Sequence, residues 1–385
     1  MKVYLVEEGI DRMGGVERVI STIGNGLSSL YNIKVVSFYK TADSPYFKYN
    51  KNIEITYLSK CRFDFFNNIK INVLFKKIYE AIVLKFKIRN YLFKNVKKDD
   101  IIICGRIDVA LKITQFKLST ENVIVRDAIH YKYYKNDIQK KIKTKLLNKI
   151  KMLIVSSDES LNTYKRINCN KTLIIKKIYN PLGIKPIVDY NYNNKIIMSV
   201  GRFSSQKGFD NLIDAFSVVR EKFPGWKLKI IGSNNDDEYF YNKYGNLESK
   251  GIFLVNNTKS IEKELCNASI YVMSSRYEGY ANSLVEALAC GIPCITYDWL
   301  MGANEIVEHN VNGIIVKLCD REAYANGKNF KIDIENLSEA MIELISDEKT
   351  CNMMSKNAEK IIQTRDSKLI LSEWNKIIIE CINGE

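Results

Sequence analysis

The segment 269–296 constrains the fold most, because it reads as strand, turn, helix and strand without interruption. An apolar run, SIYVMSS, leads into a turn that contains Glu278. The residues SLVEALAC then predict a helix over 283–290, which Pro293 separates from a second apolar strand. A helix that joins two apolar strands in this way indicates a parallel α/β sheet.

The same alternation runs along most of the chain, and it divides into two series. The first begins with the strand KVYLVEEG, a turn at Gly14 and Gly15, the helix VERVISTIGNGLSSL and the strand IKVVSFY. The segment 179–186, YNPLGIKP, contains two of the five prolines and is interpreted as a linker. We therefore predict one domain over 1–180 and a second over 187–366. A last helix, at about 367–385, could cross back to the first domain.

Strands are predicted wherever short apolar runs end at turn residues. Besides those named, they are expected at 100–104, 122–126, 152–155, 172–175, 195–200, 227–231, 252–255, 270–273 and 293–296. Helices of the second series are expected at 210–222, 260–267 and 283–290.

The net charge of +14 is divided unevenly. Residues 1–180 hold 35 Lys and Arg against 16 Asp and Glu, whereas the rest holds 23 against 28. The basic residues concentrate in two predicted helical stretches, 69–98 and 132–151. The two halves are thus expected to have different surfaces and different partners.

Nothing in the sequence predicts export or a membrane span. The N-terminus lacks the apolar core of a signal peptide, and no apolar run reaches the roughly 18 residues that a spanning helix needs. The nine cysteines are scattered, and Cys290 and Cys294 have no further ligand at zinc-site spacing. Free thiols in a reducing cytoplasm are therefore expected.

Two cations follow the first strand of the second series, in the segment VGRFSSQKGFD. Arg202 lies just beyond the strand, and Lys207 precedes a helix. Ligands of open α/β sheets bind beyond the carboxyl ends of the strands, where two cations can neutralise a diphosphate. A solvated basic loop is the alternative interpretation.

Two glutamates flank the start of the predicted helix at 283–290. A helix N-terminus can bind a phosphate, and a carboxylate beside it can accept hydrogen bonds from sugar hydroxyls. Glu286 also has a structural interpretation, since Ser283 and Glu286 form the spacing of a capping box. Glu278 could be no more than an exposed turn residue.

Gly14 and Gly15 could let a ligand approach the backbone, although a plain turn is the simpler interpretation. The chain has neither the spaced-glycine dinucleotide fingerprint nor a P-loop there, which disfavours NAD and ATP. Of the two histidines, His130 follows a strand in the segment RDAIHYKYY, whereas His309 is expected in an exposed turn. Position makes His130 the better functional candidate.

Taken together, these segments resemble the family-4 retaining glycosyltransferases, which have the GT-B fold. The resemblance rests on GGVER, VGRFSSQKGFDNLIDAF, EGYANSLVEALACGIPCI and ANEIVEHNVNGIIV, in this order. It implies an α/β architecture of two Rossmann-like domains that face each other across a cleft. The nucleotide-sugar donor binds mainly to the second domain, and the acceptor to the first.

The resemblance also implies roles for individual residues. Arg202 and Lys207 would hold the donor diphosphate, Glu286 the ribose and Glu278 the transferred sugar, with His130 near that sugar. Catalytic roles thus fall on His130 and Glu278. The implied donor-binding set is Gly14, Gly15, Arg202, Lys207, Glu278, Gly279, Ala281, Asn282, Ser283 and Glu286. The implied reaction is a front-face displacement that retains the anomeric configuration and needs no metal or other cofactor.

The resulting hypothesis is a retaining hexosyltransferase that uses a nucleotide-sugar, with UDP implied by resemblance. Its acceptor would be a glycan or a lipid-linked glycan in bacterial surface polysaccharide or glycolipid biosynthesis. We expect a cytoplasmic protein that can lie peripherally on the inner face of the plasma membrane. The basic and apolar segment 69–98 could contact anionic lipid, or it could be an ordinary domain helix.

Two other functions remain as alternatives. The basic first half could bind nucleic acid, although the chain has no recognisable nucleic-acid module, so no nucleic-acid partner is expected. A nucleotide-sugar epimerase of the same fold is the second alternative. It would release an epimerised sugar nucleotide without an acceptor.

Overall fold

The computed structural model describes residues 1–60, 75, 77–127, 137–168, 170–233, 238–258, 260–299 and 302–383. The chain forms two compact units, Met1–Gly183 with Ser367–Glu385, and Ile184–Asp366. The boundary between Gly183 and Ile184 falls inside the segment 179–186, where the sequence places the linker.

The first unit is built on a parallel sheet of seven strands within the described residues, in the order β3-β2-β1-β4-β5-β6-β7. Their apolar side chains are buried on both faces, as is usual when helices cover a parallel sheet. The strands are β1 Lys2–Glu7, β2 Asn32–Tyr39, β3 Glu54–Ser59, β4 Ile101–Cys104, β5 Val123–Arg126, β6 Met152–Val155 and β7 Ile174–Lys177.

Helices lie against both faces of this sheet. The last helix of the chain belongs to this unit, because its Trp374 is 1% exposed and packs in the same apolar core as Leu5 and Ile20. The helices are α1 Gly15–Leu27, α2 Lys85–Asn95, α3 Ile107–Thr114, α4 Asp137–Leu147, α5 Asp158–Ile167 and, at the C-terminus, α14 Ser367–Asn383. A π-helical turn, Glu80–Leu84, leads into α2.

The second unit contains a parallel sheet of six described strands, in the order β10-β9-β8-β11-β12-β13. Its core includes Leu212, Phe216 and Leu344, all fully buried. The strands are β8 Ile196–Val200, β9 Lys227–Ser233, β10 Ile252–Asn256, β11 Ile270–Met273, β12 Cys294–Tyr297 and β13 Gly313–Val316. The helices are α6 Phe209–Lys222, α7 Glu238–Tyr244, α8 Ile261–Leu265, α9 Asn282–Ala289, α10 Arg321–Ala325, α11 Lys331–Ser346, α12 Glu348–Ala358 and α13 Ile362–Arg365.

Each sheet has a switch point, where the chain stops adding strands on one side and starts on the other. It lies between β1 and β4 in the first unit and between β8 and β11 in the second. The loops that follow these strands diverge at the carboxyl edge and leave room for a ligand. The predicted α/β class is confirmed, and the switch points show where each unit can bind a ligand.

In the described part of the chain, no helix combines the length and apolarity that crossing a bilayer requires. Seven cysteines fall in this part, and all seven are free thiols. Cys61 and Cys169 lie outside the described residues.

Candidate functional site

The switch point of the second unit brings two of the predicted site residues into contact. Lys207 follows β8, Glu278 follows β11, and these strands are neighbours. The Lys207 Nζ atom donates a hydrogen bond to Glu278 Oε1 at 2.8 Å. The lysine side chain is 17% exposed and that of the glutamate 9%, so this charge-assisted bond is largely shielded from water.

One glycine leaves room for the Lys207 side chain, and a second allows the backbone conformation of the residue after it. The Lys207 side chain crosses Gly201, where an added Cβ would lie 2.7 Å from the lysine Cε atom. Gly208 has φ +60°, and a Cβ there would lie 2.3 Å from the carbonyl oxygen of Ser274. A larger residue at 201 would displace the lysine, and one at 208 would strain the backbone.

Arg276, which sequence reasoning missed, fastens the lysine loop to the loop after β11. Its guanidinium donates to both carboxylate oxygens of Asp210, at 2.9 and 3.2 Å, and to the carbonyl oxygen of Ser205 at 2.9 Å. Its backbone N–H donates to the carbonyl of Gln206 at 2.7 Å. Arg276 is 5% exposed. Its hydrogen bonds connect the two loops beneath the protein surface. Arg276 follows two serines and precedes a tyrosine, and nothing in this segment of the sequence indicates that it connects two loops.

Arg202 differs from Lys207 in its surroundings. It is exposed at the end of β8 and forms no ion pair or hydrogen bond with the described part of the chain. Its guanidinium is therefore available to an anion, whereas Lys207 already has a carboxylate partner.

Helix α9 begins at Asn282, one residue earlier than predicted. Its N-cap is Ala281, which provides no side-chain cap, and the Ser283 hydroxyl instead donates to the carbonyl of Val200 at 3.4 Å. The predicted capping box of Ser283 and Glu286 is therefore wrong, because Ser283 lies inside the helix.

The start of α9 offers one open backbone donor. The Asn282 N–H donates to the carbonyl of Tyr280 at 3.0 Å, but the Ser283 N–H has no acceptor among the described residues. Because Ser283 also touches the end of β8, this donor lies beside the segment that carries Arg202 and Lys207.

Two further predicted residues, Glu286 and Gly279, complete this part of the site. Glu286 is the fifth residue of α9 rather than a first-turn residue, and it is 3% exposed. Glu278 is 7% exposed, and the neighbouring Gly279 is half-buried. The structure thus places two buried carboxylates, two cations and a helix N-terminus in one unit.

The remaining predicted residues belong to the first unit. Gly14 is the N-cap of α1 and Gly15 its first residue. A Cβ at position 14 would lie 2.1 Å from Glu17 Oε2, so a side chain there would displace that carboxylate. His130, the predicted catalytic histidine, lies outside the described residues. Within those residues, no three His, Cys, Asp or Glu side chains come together as metal ligands.

Comparison with known proteins gives matches over the whole chain. Residues 184–361 match the family described as Glycosyl transferases group 1. An uncharacterized glycosyltransferase of Haemophilus influenzae is 25% identical over 378 residues, which cover 96% of this chain and 97% of the relative. The amylovoran biosynthesis glycosyltransferase AmsD of Erwinia amylovora is 23% identical over 391 residues, covering 98% and 99%.

A third relative comes from Campylobacter jejuni. It is named GalNAc-alpha-(1->4)-GalNAc-alpha-(1->3)-diNAcBac-PP-undecaprenol alpha-1,4-N-acetyl-D-galactosaminyltransferase. It is 21% identical over 377 residues, which cover 96% of each chain.

Two solved structures show the same fold. A sucrose-phosphate synthase of Thermosynechococcus elongatus has a TM-score of 0.78 and 16% identity, with all of both chains covered. A mutant of S. aureus TarM, in complex with Fondaparinux, alpha-GlcNAc-glycerol and UDP, has the same TM-score and identity and covers 98% of this chain and 100% of its own. The GT-B fold predicted from the sequence is therefore confirmed.

Proposed function

We propose that this chain, whose residues 184–361 match the glycosyl transferases of group 1, transfers a hexosyl group from a UDP-sugar with retention of configuration. The acceptor is a glycan or a lipid-linked glycan of a bacterial surface polysaccharide. The observation that carries the proposal is the contact between Lys207 and Glu278 at the switch point of the second unit. In this proposal Lys207 binds the diphosphate and Glu278 binds the sugar, and their contact supports a single binding site for both parts of the donor.

The donor diphosphate is held by charge and by backbone. Arg202 can make a forked contact with phosphate oxygens, Lys207 supplies a point charge, and the Ser283 N–H supplies a hydrogen bond at the positive end of α9. As the bond to the sugar breaks, negative charge grows on the leaving diphosphate. These groups stabilise that charge without having to reorganise.

The two carboxylates take the hydroxyl groups of the donor. Glu278 uses Oε1 for Lys207, which leaves Oε2 to accept a hydrogen bond from the transferred sugar. Glu286, buried in α9, is assigned to the ribose. No side chain in this set is proposed as a nucleophile, so the acceptor hydroxyl attacks from the face that the diphosphate leaves.

Relatives support the donor and acceptor classes. The TarM structure contains UDP, the Erwinia protein is named for amylovoran biosynthesis, and the Campylobacter protein is named for an undecaprenol-linked acceptor. We propose by analogy that a UDP-sugar and a lipid-linked or polymeric acceptor serve this enzyme. We propose further that it acts without a metal or other cofactor.

A thermal-shift screen of the full chain against UDP-, GDP- and ADP-sugars tests the donor, and NMR of the product tests the stereochemistry. We expect UDP-sugars to give the largest shift and the anomeric proton of the product to keep the donor configuration. The Lys207→Ala and Glu286→Ala variants should lose the shift, whereas Lys243→Ala, at a 41% exposed lysine, should keep it. An inverted product, or a shift unchanged in both site variants, would refute the proposal.

We also propose that the first unit binds an anionic membrane surface through α2 and the π-helical turn before it. Ile82, Phe86 and Phe93 are 66%, 60% and 57% exposed, and their spacing of four and seven residues puts them on one side of the helix. The helix buries a different stripe, which includes Leu84 and Ile88. Large apolar side chains on an exposed helix face mark an interaction surface.

The charge around this row favours lipid over nucleic acid. Lys85, Lys87 and Arg89 are exposed among the apolar residues. Near an anionic bilayer each such cation contributes about 1 kcal/mol, and the apolar row can enter the headgroup region. A nucleic-acid backbone would use the cations but leave Ile82 and Phe86 in water.

Cosedimentation with vesicles tests the membrane proposal. The full chain should bind vesicles that contain phosphatidylglycerol and ignore neutral ones. A Phe86→Ser, Phe93→Ser double variant should bind several-fold less, while Ile332→Ser, at a similarly exposed residue of the second unit, should bind normally. Equal binding by all three, or salt-sensitive RNA binding that the double variant retains, would contradict a lipid-binding face.

A further inference from the structure

Two consecutive glutamates lie at the switch point of the first unit: Glu7 is the last residue of β1, and Glu8 follows it. Side chains alternate along an extended strand, so the two point in opposite directions. Glu8 is partly exposed; its carboxylate pairs with Arg106 at 2.8 Å and lies 3.8 Å from both Arg12 and Lys112. Glu7 points into the protein and is 1% exposed. One glutamate therefore joins a surface network while the other is isolated.

Neither carboxyl oxygen of Glu7 has a hydrogen-bond partner in the described part of the chain. The oxygen Oε1 lies over Gly105, where an added Cβ would be 1.7 Å from it and 2.9 Å from Ile20. A carboxylate ion in such a place loses its hydration without replacement. Burial therefore raises the pKa of Glu7 to about 8, and the side chain is mainly neutral at pH 7.

The charged groups that act on Glu7 come from α1, from β5 and from the start of α3. Arg106 and Arg126 favour its charged form, and Glu17 and Asp108 oppose it, but burial outweighs all four. The charge of Glu7 also affects two weaker acids. The pKa values of the Tyr49 hydroxyl and the Cys104 thiol are raised, mainly by burial and secondly by the negative charge of Glu7. The surroundings thus contain cations that an ionised Glu7 could recruit.

The cation with the larger electrostatic effect on Glu7, Arg106, directly follows the glycine on which the Glu7 carboxyl group lies. The Gly105 N–H donates to the carbonyl of Val6 at 3.4 Å, and Arg106 is the N-cap of α3. The Arg106 guanidinium donates to both oxygens of Asp108, at 3.0 and 2.6 Å, and to Glu8 at 2.8 Å. An ionised Glu7 would compete with these carboxylates for the guanidinium.

We propose that Glu7 is a positioning residue for the acceptor. In its neutral form it supports the loop of Gly105 and Arg106, so that Arg106 and Glu8 together present donors and acceptors for the hydroxyl groups of a glycan. When its proton passes to water, the carboxylate draws Arg106 inward and this polar surface is lost. The inference rests on the proposed function, in which the first unit binds the acceptor.

Acceptor kinetics as a function of pH test this role. Between pH 7 and 9.5 the acceptor KM of the wild type should rise, approaching tenfold per pH unit above pH 8, while kcat at saturating acceptor stays constant. Glu7→Gln keeps the shape and the neutral charge, so its KM should stay low and independent of pH. Glu8→Gln is the matched control: it should weaken acceptor binding at every pH and keep the alkaline rise.

A second readout follows the ionisation without catalysis. The melting temperature of the wild type should fall relative to that of Glu7→Gln as pH rises from 5 to 8. If Glu7→Gln retains the alkaline rise in KM, or if kcat changes instead of KM, the positioning role is refuted. Failure of any UDP-sugar to support transfer would refute the proposed function and the acceptor role together, whereas an active enzyme with identical wild-type and Glu7→Gln profiles refutes the role of Glu7 alone.

Discussion

Each sheet has a glutamate at its carboxyl edge, and the two glutamates differ in whether they have a hydrogen-bond partner. At the switch point of the second unit, Glu278 has a lysine partner at 2.8 Å. At the switch point of the first unit, Glu7 has no hydrogen-bond partner in the described residues and is completely buried. The carboxyl edge at the switch point therefore holds an ion pair in one unit and a neutral acid in the other.

This difference shows that the local partners decide the chemistry of a switch point, and that the net charge of a unit does not. The second half of the chain has an excess of acidic residues, yet its switch point gathers cations suited to a diphosphate. The first half has an excess of basic residues, yet its switch point is a balanced network around Arg106 and Glu8. A balanced polar network suits an uncharged glycan better than a phosphate.

The largest effect is expected from Lys207→Ala. Removing this charge takes away stabilisation of the leaving diphosphate, so kcat/KM should fall by about 10²–10³-fold. Steady-state assays with the preferred UDP-sugar measure it, with Lys243→Ala as the surface control. A loss of less than threefold would mean that the second-unit edge does not handle the diphosphate.

Gly208→Ala tests whether the lysine loop depends on its backbone geometry. The alanine Cβ would meet the Ser274 carbonyl, and the φ of +60° disfavours any side chain. We expect a loss of about 3 kcal/mol in the free energy of unfolding, measured by chemical denaturation. Gly245→Ala has a similar φ of +71° but open space around it, and should cost about 1 kcal/mol. Equal losses would show that the contact with Ser274 is unimportant.

Glu278→Gln and Glu7→Gln should change stability in opposite directions at pH 8. The first weakens the partner of a shielded lysine and should destabilise the protein by about 1–3 kcal/mol. The second removes a group whose folded pKa is raised above its unfolded value. An acid of this kind costs stability progressively as pH rises from about 4.5 to about 8, so Glu7→Gln should be the more stable protein at pH 8 and equal to the wild type at pH 4. If the denaturation midpoints of both variants shift in the same direction at pH 8, the comparison is contradicted.

Gly201→Ala should have a smaller and more specific effect. Its Cβ would meet the stem of Lys207 and push the ammonium group away from the site. Donor affinity should fall by about tenfold, which corresponds to about 1.4 kcal/mol, with little change in the melting temperature. Gly225→Ala, where the nearest atom would be 3.9 Å away, is the matched control. A variant with normal donor affinity would show that the lysine reaches its position by another route.

The sequence predicted the architecture well because parallel strands buried on both faces are continuous apolar runs. The strands at 152–155 and 270–273 coincide with β6 and β11. Two strands were missed, and both lie at the edge of a sheet: β3, Glu54–Ser59, in the first unit and β13, Gly313–Val316, in the second.

Only the site residues that belong to recognisable sequence motifs were predicted. The segments after β8 and β11 identified Lys207 and Glu278, and the neighbouring strands explain why they meet. The capping box failed because the Ser283 hydroxyl found the Val200 carbonyl, a contact between residues far apart in sequence. Arg276 and Glu7 were missed for the same reason: burial and the presence or absence of partners depend on the packing of distant segments. The roles assigned to all of the predicted site residues stay predictions, including those of Gly14, Gly15 and His130.

Calorimetric titration of UDP into the full-length protein and its variants tests the central claim most directly. If the cations at the second switch point hold the donor diphosphate, UDP should bind the wild type and Glu7→Gln with equal affinity and Lys207→Ala at least tenfold more weakly. Equal UDP affinity of the wild type and Lys207→Ala, or a loss of UDP affinity in Glu7→Gln instead, would contradict the claim that the switch point of the second unit, and not that of the first, binds the donor diphosphate.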